Sequence, residues 1–311
     1  MKVVLADTGG KTKYVLITPA YNEEAFIERT IRAVISQTLL PLKWIIVSDA
    51  STDQTEAIVH SYLRDWPFIE LRRMETAHGG HSFASKVFAF DEGVRSLGQT
   101  DFNFIGNLDA DVSFCPSYFE DLLLRFRDDE VLGIAGGWIY ELNGETYAPR
   151  RMNTPRDVAG AVQMFRRECY ESVGGLLPLE CGGEDWCAQV TARMKNWRVR
   201  SFPEITVYHH RITGESSGRL RRRWRQGLMD FSMGTHPASE VIRLLRRLGE
   251  SPAAIGAAAR LCGYVSGYLC GQKRLVSDEV VRFLRREELQ RVRGGSRMIA
   301  EWVRRTVGGL Q

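Results

Sequence analysis

Four apolar runs, at residues 14–18, 44–48, 68–71 and 102–108, are separated by polar turns and amphipathic stretches, and this alternation constrains the chain more than any other feature. Each run is strand-length and rich in branched or aromatic residues, as expected of strands buried on both faces. After the first, apolar residues at 27, 31, 34 and 35 line one side of a helix spanning roughly 23–38. Strands and helices alternating in this way predict an α/β fold with a mostly parallel, Rossmann-like sheet flanked by helices. In such sheets ligands bind beyond the carboxyl ends of the strands, so the residues just after each run are the candidates for chemistry.

Those ends form a set: residues 18–22, Asp49 to Asp53, Gly79 to His81, and Asp109 with Asp111. The fourth run closes on two carboxylates one residue apart. The pair is either an Asx turn or a site for a hard divalent cation, which would in turn hold phosphates. Asp49, closing the second strand, is placed to accept a hydrogen bond from a ribose or base. Asp53 lies three residues before Glu56, the spacing of a helix-capping pair, and Asn22 is another cap candidate. Gly79 and Gly80 fit a turn, and His78 and His81 read as polar loop residues. The chain has neither a Gly-x-Gly-x-x-Gly after its first strand nor a Gly-x-x-x-x-Gly-Lys-Ser/Thr, which disfavours nicotinamide dinucleotides and P-loop chemistry.

Further along, residues 116–127 predict a helix, and 131–138 a strand whose glycines permit close backbone approach. The polar, proline-containing stretch 141–157 reads as a loop, and 161–166 returns to an apolar pattern. Cys181-Gly-Gly-Glu-Asp-Trp186 opens a helix running to about residue 194. Glu184 and Asp185 would sit in its first turn. Acids are favoured there by the helix dipole, and an acid held there can also serve as a general base. In the last strand, 199–208, His209 shares the parity of Ile205 and Val207, as a structural histidine or a third metal ligand.

Charge is unevenly distributed. Residues 219–311 carry 19 Lys and Arg against 8 Asp and Glu, whereas residues 1–218 carry 23 against 30. A basic tail on an acidic body indicates an anionic partner, a membrane leaflet or nucleic acid, or else a set of solvated Arg-rich helix faces. Residues 253–269 are apolar except for Arg260 and fall short of a spanning length, so they read as an interfacial or packed helix. The expected organisation is a catalytic domain over 1–213 and a basic, mainly helical extension over 214–311. Residues 1–13 lack an apolar run of signal-peptide length, and the six cysteines contain no Cys-x-x-Cys pair. A cytoplasmic setting, peripheral on the inner face of the cell membrane, is the expectation.

Four segments occur in a telling order: Thr18-Pro-Ala-Tyr-Asn-Glu-Glu24, Ser48-Asp-Ala-Ser-Thr-Asp-Gln-Thr55, Asp109-Ala-Asp111 and Glu184-Asp185. With them the chain resembles the family 2 glycosyltransferases, enzymes of the GT-A fold that use nucleotide sugars. The resemblance implies that Pro19, Ala20, Tyr21 and Glu23 line the nucleotide pocket and that Asp49 binds the base. It implies that Asp109 and Ala110 lie at the donor, that Asp111, with Asp109, holds Mg²⁺ or Mn²⁺, and that His209 or His210 approaches the metal. Asp185 would be the catalytic base, with Glu184 beside it. The implied reaction is inverting transfer of one sugar from a UDP-sugar donor to a glycan or lipid-linked acceptor, in cell-envelope or exopolysaccharide biosynthesis. Processive relatives carry Gln-x-x-Arg-Trp; here Arg223-Trp224 is preceded by Leu220 where Gln would stand, which favours single addition. A sugar nucleotidyltransferase would need a Gly-rich triphosphate loop, which residues 18–22 do not provide. A nucleic-acid binder would need more aromatics among the tail arginines, so no nucleic-acid partner is expected.

Overall fold

The computed structural model describes residues 12–75, 83–143, 146–211, 218–246, 253–272 and 274–307. Residues 78–81 and the amino-terminal residues 1–11 lie outside them. The chain divides into two units, Met1–Thr213 and Gly214–Gln311.

The first unit is built from β1 (Tyr14–Ala20), α1 (Ile27–Ile35), β2 (Lys43–Ser48), α2 (Thr55–Leu63), β3 (Ile69–Arg73), α3 (Phe83–Ser96) and β4 (Phe104–Leu108). There follow β5 (Val112–Phe114), α4 (Tyr118–Asp128), β6 (Leu132–Asn143), β7 (Thr146–Pro149), β8 (Val162–Arg166), α5 (Arg167–Val173), α6 (Glu184–Met194) and β9 (Arg198–His209). One sheet takes the order β3-β2-β1-β4-β8-β6-β9-β5, with β7 paired to β6. The first four strands in that order are parallel neighbours. β8 runs against both β4 and β6, while β6 and β9 are parallel. Most strands therefore share one direction, and their carboxyl ends share one edge.

Burial explains why three of the four runs lack polar alternation; the third, β3, is an edge strand that carries Glu70 and is only partly buried. β4 is buried throughout, and β1 and β2 nearly so. One core cluster gathers Leu16, Trp44 and Ile46 with Ile31 and Phe126; the other gathers Ile17, Ile45 and Ile105 with Phe90 and Ala188. Helices thus cover both faces, as continuous apolar strands require.

One expectation needs correction, and another gains a detail. The stretch 141–157 is not all loop: β6 continues to Asn143 and pairs antiparallel with β7. Tyr140 and Tyr147, aromatics suited to a sheet, lie in this ribbon, whose polar outer positions hid it from an apolar-pattern reading. The last strand forms as expected, as β9, but its ladder with β6 slips register. Gly137 pairs with Phe202 and the next residue, Trp138, with Thr206, so residues 203–205 bulge out of register around Pro203, which cannot donate to a ladder. Alternation holds from the last residue of the bulge onward: Ile205, Val207 and His209 are all buried.

The β6 glycines are needed for close approach. A Cβ on Gly137 would lie 2.4 Å from the Ile205 carbonyl oxygen, and one on Gly133 2.6 Å from Cys169 Sγ.

The second unit consists of α7 (Arg219–Ser232), α8 (Pro237–Arg246), α9 (Ala253–Leu269) and α10 (Asp278–Val307). α7 and α9 cross almost backbone to backbone, since a Cβ on Gly227 would lie 1.9 Å from the Arg260 carbonyl oxygen and one on Gly263 1.9 Å from that of Trp224. Beside the crossing, buried Arg260 pairs with Asp230 and, at 2.7 Å, with Glu240. Arg243 joins Asp230 to Glu288 at 2.6 and 2.8 Å. Among the described residues no helix is long and apolar enough to cross a membrane.

Replacing Gly137 by Ala forces the β6 and β9 backbones apart where side chains cannot yield. We expect a loss of about 1–3 kcal/mol in urea unfolding, the range of an overpacked core. Unchanged stability would show that the bulge absorbs a methyl group.

Candidate active site

The site forms where the parallel strands end. β4 stops at Leu108, the chain turns through Asp109, Ala110 and Asp111, and β5 begins at once. Thr30 of α1 fixes this turn from beneath: its buried hydroxyl lies 2.8 Å from the carbonyl oxygens of Ala110 and Val112 and accepts from the Val112 amide at 3.1 Å. The Asp109 amide donates to Ala161 O at 2.9 Å. Because β5 pairs with β9 in a register that sets Val112 opposite His209, the imidazole reaches the turn, with Nε2 3.2 Å from Asp111 Oδ1. Ligand atoms of Asp109, Asp111 and His209 all lie within 4.8 Å of one another. Two carboxylates and an imidazole at this spacing fit a small divalent cation, which draws its ligands in to about 2.0–2.2 Å.

His210 does not join them, which corrects the expectation for that residue. The adjacent parity sends its ring the other way, where Nδ1 lies 2.7 Å from Tyr147 OH and Nε2 2.9 Å from Ser113 Oγ. Both ring nitrogens are occupied, and burial, then Arg29, holds its pKa below the ordinary value.

Two cations that no motif singled out face these acids. Lys86, on α3, places Nζ 2.5 Å from Asp109 Oδ1. Since α3 runs back to the start of β4, its first turns must lie at the carboxyl edge. A lone cation within the otherwise apolar stretch 83–90 was the available signal. Arg211, just past β9, pairs with Glu23 Oε2 at 2.5 Å, lies 3.7 Å from Asp111 Oδ2 and covers the Phe26 ring at 5.2 Å. Burial alone would discharge Lys86, but Asp109, Glu184 and Asp185 outweigh it and hold its pKa above the ordinary value. Burial would likewise raise Asp111, yet His209, Arg211 and Lys86 keep it low. In return Asp111 raises His209 against the effect of burial. Glu23 goes the other way: burial and then Asp111 push it up to about 8 despite Arg211.

The loops after β1 and β2 are laced to each other. The Asp49 amide donates to Ala20 O at 2.9 Å, at the end of β1 that also carries half-buried Pro19 and leads to half-buried Tyr21. Asn22, at φ 53°, donates its amide to Ser51 Oγ at 3.1 Å and accepts from the Thr52 amide at 2.8 Å. Asp53 takes both the Glu24 and Thr55 amides at 3.0 Å, so it caps α2 and also ties the loops together. Glu56 does not complete a capping box; it accepts from Ser48 Oγ and Arg73, both at 2.6 Å. Asp49, at the end of β2 in this lattice, is only 7 % exposed.

Glu184 and Asp185 open α6, which returns the chain to the start of β9 and so must begin at the same edge. Gly182 and Gly183 precede them at φ 82° and 97°, left-handed values that glycine adopts without strain. Asp185 accepts from the Gly160 amide at 3.0 Å and the Trp186 amide at 2.7 Å. Gly160 is held in turn by Asn107, which donates to its carbonyl at 2.6 Å. Asp185 remains half-buried, whereas Glu184 is 7 % exposed and its Oε2 has no hydrogen-bond partner among the described residues. Burial, then Asp185, pushes Glu184 up to about 7. Burial also raises Asp185, against the pull of the Trp186 amide, Lys86 and Arg150. Carboxyls tuned upward in this way are suited to proton transfer near neutral pH.

Because Glu184 titrates at about 7 in the fold against 4.5 when free, its protonated form stabilises the protein at low pH, and that contribution is lost as pH rises through 7. We expect Glu184→Gln to stabilise the fold at pH 8 by about 1–2 kcal/mol and to add little at pH 5, as read by denaturant unfolding at both. Equal losses at the two pH values would contradict a charge penalty at this position.

Residues 15–183 match the family described as Glycosyl transferase family 2. Curated relatives include the uncharacterized glycosyltransferase YibD of Escherichia coli, 26 % identical over 137 residues, or 43 % of this chain and 37 % of that one. EpsJ of Bacillus subtilis, likewise an uncharacterized glycosyltransferase, is 29 % identical over 45 % of this chain and 38 % of its own. The match therefore spans less than two-fifths of the length of either relative. Chondroitin synthase of Pasteurella multocida is 30 % identical over 37 % of this chain and 11 % of its own. Among solved structures, the mannosyltransferase PcManGT of Pyrobaculum calidifontis, in complex with GDP-Man and Mn²⁺, superposes with a TM-score of 0.58 at 18 % identity, covering 99 % of this chain and 90 % of that one. Staphylococcus aureus TarS residues 1–349 with UDP-GlcNAc gives 0.52 at 19 % identity over 88 % and 78 % of the two chains. The four motifs, the strand-end acids and a family match covering more than half the sequence converge: this chain belongs to glycosyl transferase family 2.

Proposed function

We propose that the protein transfers one sugar from a nucleoside-diphosphate donor to a hydroxyl group of a glycan or lipid-linked acceptor, with inversion at the anomeric carbon. The reading rests above all on the Asp109, Asp111 and His209 cluster, whose ligand atoms lie within 4.8 Å of one another. The GDP-Man, UDP-GlcNAc and Mn²⁺ bound in the fold neighbours support a nucleotide-sugar donor and a divalent cation, and the donor assigned is a UDP-sugar. The chondroitin and hyaluronan synthases among the relatives support a glycan acceptor and a place in envelope or exopolysaccharide synthesis.

On this reading Pro19, Ala20, Tyr21 and Glu23 line the nucleotide pocket and Asp49 binds the base, held at its depth by the laced loops. Ala110 and Asp109 meet the ribose side of the donor, while Asp111, Asp109 and His209 hold Mn²⁺ or Mg²⁺. That cation would neutralise the leaving diphosphate. Lys86 and Arg211 hold fixed positive charge beside the same oxygens and need no reorganisation when negative charge develops. Asp185 takes the proton of the acceptor hydroxyl as its oxygen bonds to the anomeric carbon and the bond to the diphosphate breaks on the opposite face. A single displacement of this kind inverts configuration. Glu184, more deeply buried and with its pKa raised to about 7, keeps a second full negative charge from competing with Asp185. Arg150, which lowers the Asp185 pKa and lies 3.4 Å from Glu141, frames the acceptor side.

A screen of UDP- and GDP-sugars with Mn²⁺, following nucleoside diphosphate release, tests the assignment. Asp111→Ala and Asp185→Asn should each lower turnover by about 10²–10⁴-fold with the fold intact by circular dichroism. Chelation should abolish transfer and Mn²⁺ should restore it. Full activity in either variant would remove that residue from its role.

A further inference from the structure

α9 is built inside out. Around its axis, Gly256, Arg260, Gly263, Tyr264 and Gly267 face inward and are buried, so the packed side of the helix consists mainly of glycines, a charge and a phenol. The opposite arc, about a third of the circumference at 3.6 residues per turn, carries Ile255, Ala258, Leu261, Cys262, Val265 and Leu269, and all of them are exposed. Ile255 and Leu269 are 66 % and 82 % exposed, and no charged residue interrupts the arc. On the helix crossing it, Trp224 is 41 % exposed and stands three residues after exposed Arg221. Of the large apolar side chains exposed among the described residues, more than half lie between Leu220 and Leu275. Soluble proteins seldom leave so continuous a patch uncovered.

We infer that this face lies on the surface of an anionic phospholipid bilayer, with the outer arc of α9 in the interfacial region. Charge decides between this occupant and a second copy of the chain. Residues 219–311 carry 19 basic against 8 acidic residues, so two copies meeting here would bring like charges together, whereas an anionic leaflet complements them. The length of α9 agrees: 17 residues extend about 25 Å, too short to span and suited to lying in the plane. Tight α7 and α9 packing through glycines explains how the outward arc can be wholly apolar without costing the unit its fold, since the two helices are held by backbone contact and by buried Phe231 and Tyr264. The inference extends the proposed lipid-linked acceptor to a location, and it rests on that reading only for its biological sense.

The test is co-sedimentation of the full chain with vesicles of phosphatidylcholine alone and of phosphatidylcholine with 30 mol % phosphatidylglycerol. Binding to the anionic vesicles should exceed that to the neutral ones at least tenfold at low salt and fall as salt rises. The triple variant Leu261→Gln, Val265→Gln, Leu269→Gln should lose most of that binding while keeping its circular dichroism and its nucleoside diphosphate release with a soluble acceptor. Arg221→Glu should weaken binding by a smaller, salt-sensitive factor. Failure of the parent chain to sediment with anionic vesicles, or equal binding by parent and triple variant, overturns the inference. So does a dimer in sedimentation velocity that the triple variant dissolves, since a second copy would then cover the face. Vesicle binding without sugar transfer from any donor would leave this inference standing and count only against the proposed reaction.

Discussion

Five carboxylates, Glu23, Asp109, Asp111, Glu184 and Asp185, are brought close enough at one sheet edge to raise or restrain one another's ionisation, and the arrangement depends on how that charge is neutralised. Placed there unpaired, so much negative charge in a half-buried site would be expelled or protonated. The fold supplies Lys86, His209 and Arg211 at distances of 2.5–3.7 Å and leaves Glu23 and Glu184 to hold protons near neutrality. The same balance suits a donor site. On the proposed reading, positive groups already in place need not be recruited when negative charge moves onto a leaving diphosphate.

This balance follows from topology. Strands that share a direction deliver their carboxyl ends to one edge, and helices returning between them start at that edge. β4 contributes Asp109, β9 contributes His209 and Arg211, α3 contributes Lys86 and α6 contributes Glu184 and Asp185. Side chains from within the fold then hold the pieces in place: Thr30 under the Asp-x-Asp turn, Asn107 and Asp185 on either side of Gly160, and Asn22 and Asp53 across the two early loops. Apart from Asp185, whose carboxylate also belongs to the site, these groups spend their hydrogen bonds on holding the turns in place.

The second unit follows a different logic. Its helices meet through glycines and a buried set of ion pairs in which Arg260 and Arg243 are shared among Asp230, Glu240 and Glu288. Burial pushes Asp230 up to about 7 even with two arginines beside it, the mark of ions held where water cannot reach them. Such pairs specify which helix faces turn inward more than they add stability. The outer apolar residues of α9 are thereby left exposed.

Much of this was legible in the sequence. Mostly apolar runs meant strands, most of them buried, their alternation with amphipathic stretches meant a mostly parallel sheet, and the sheet pointed to the residues after each run. Parity placed His209 on the buried face because alternation is local and holds within a few residues. The β6–β7 ribbon, the bulge around Pro203, the engagement of His210 by Tyr147 and Ser113, and the roles of Lys86, Arg211 and Thr30 were decided only in three dimensions. Each depends on which distant segment lies opposite: Lys86 meets Asp109 across 23 residues of sequence and Arg211 meets Glu23 across 188. Sequence periodicity reports the face on which a side chain stands; the partner it finds there is set by strand order, register and the direction in which each helix returns.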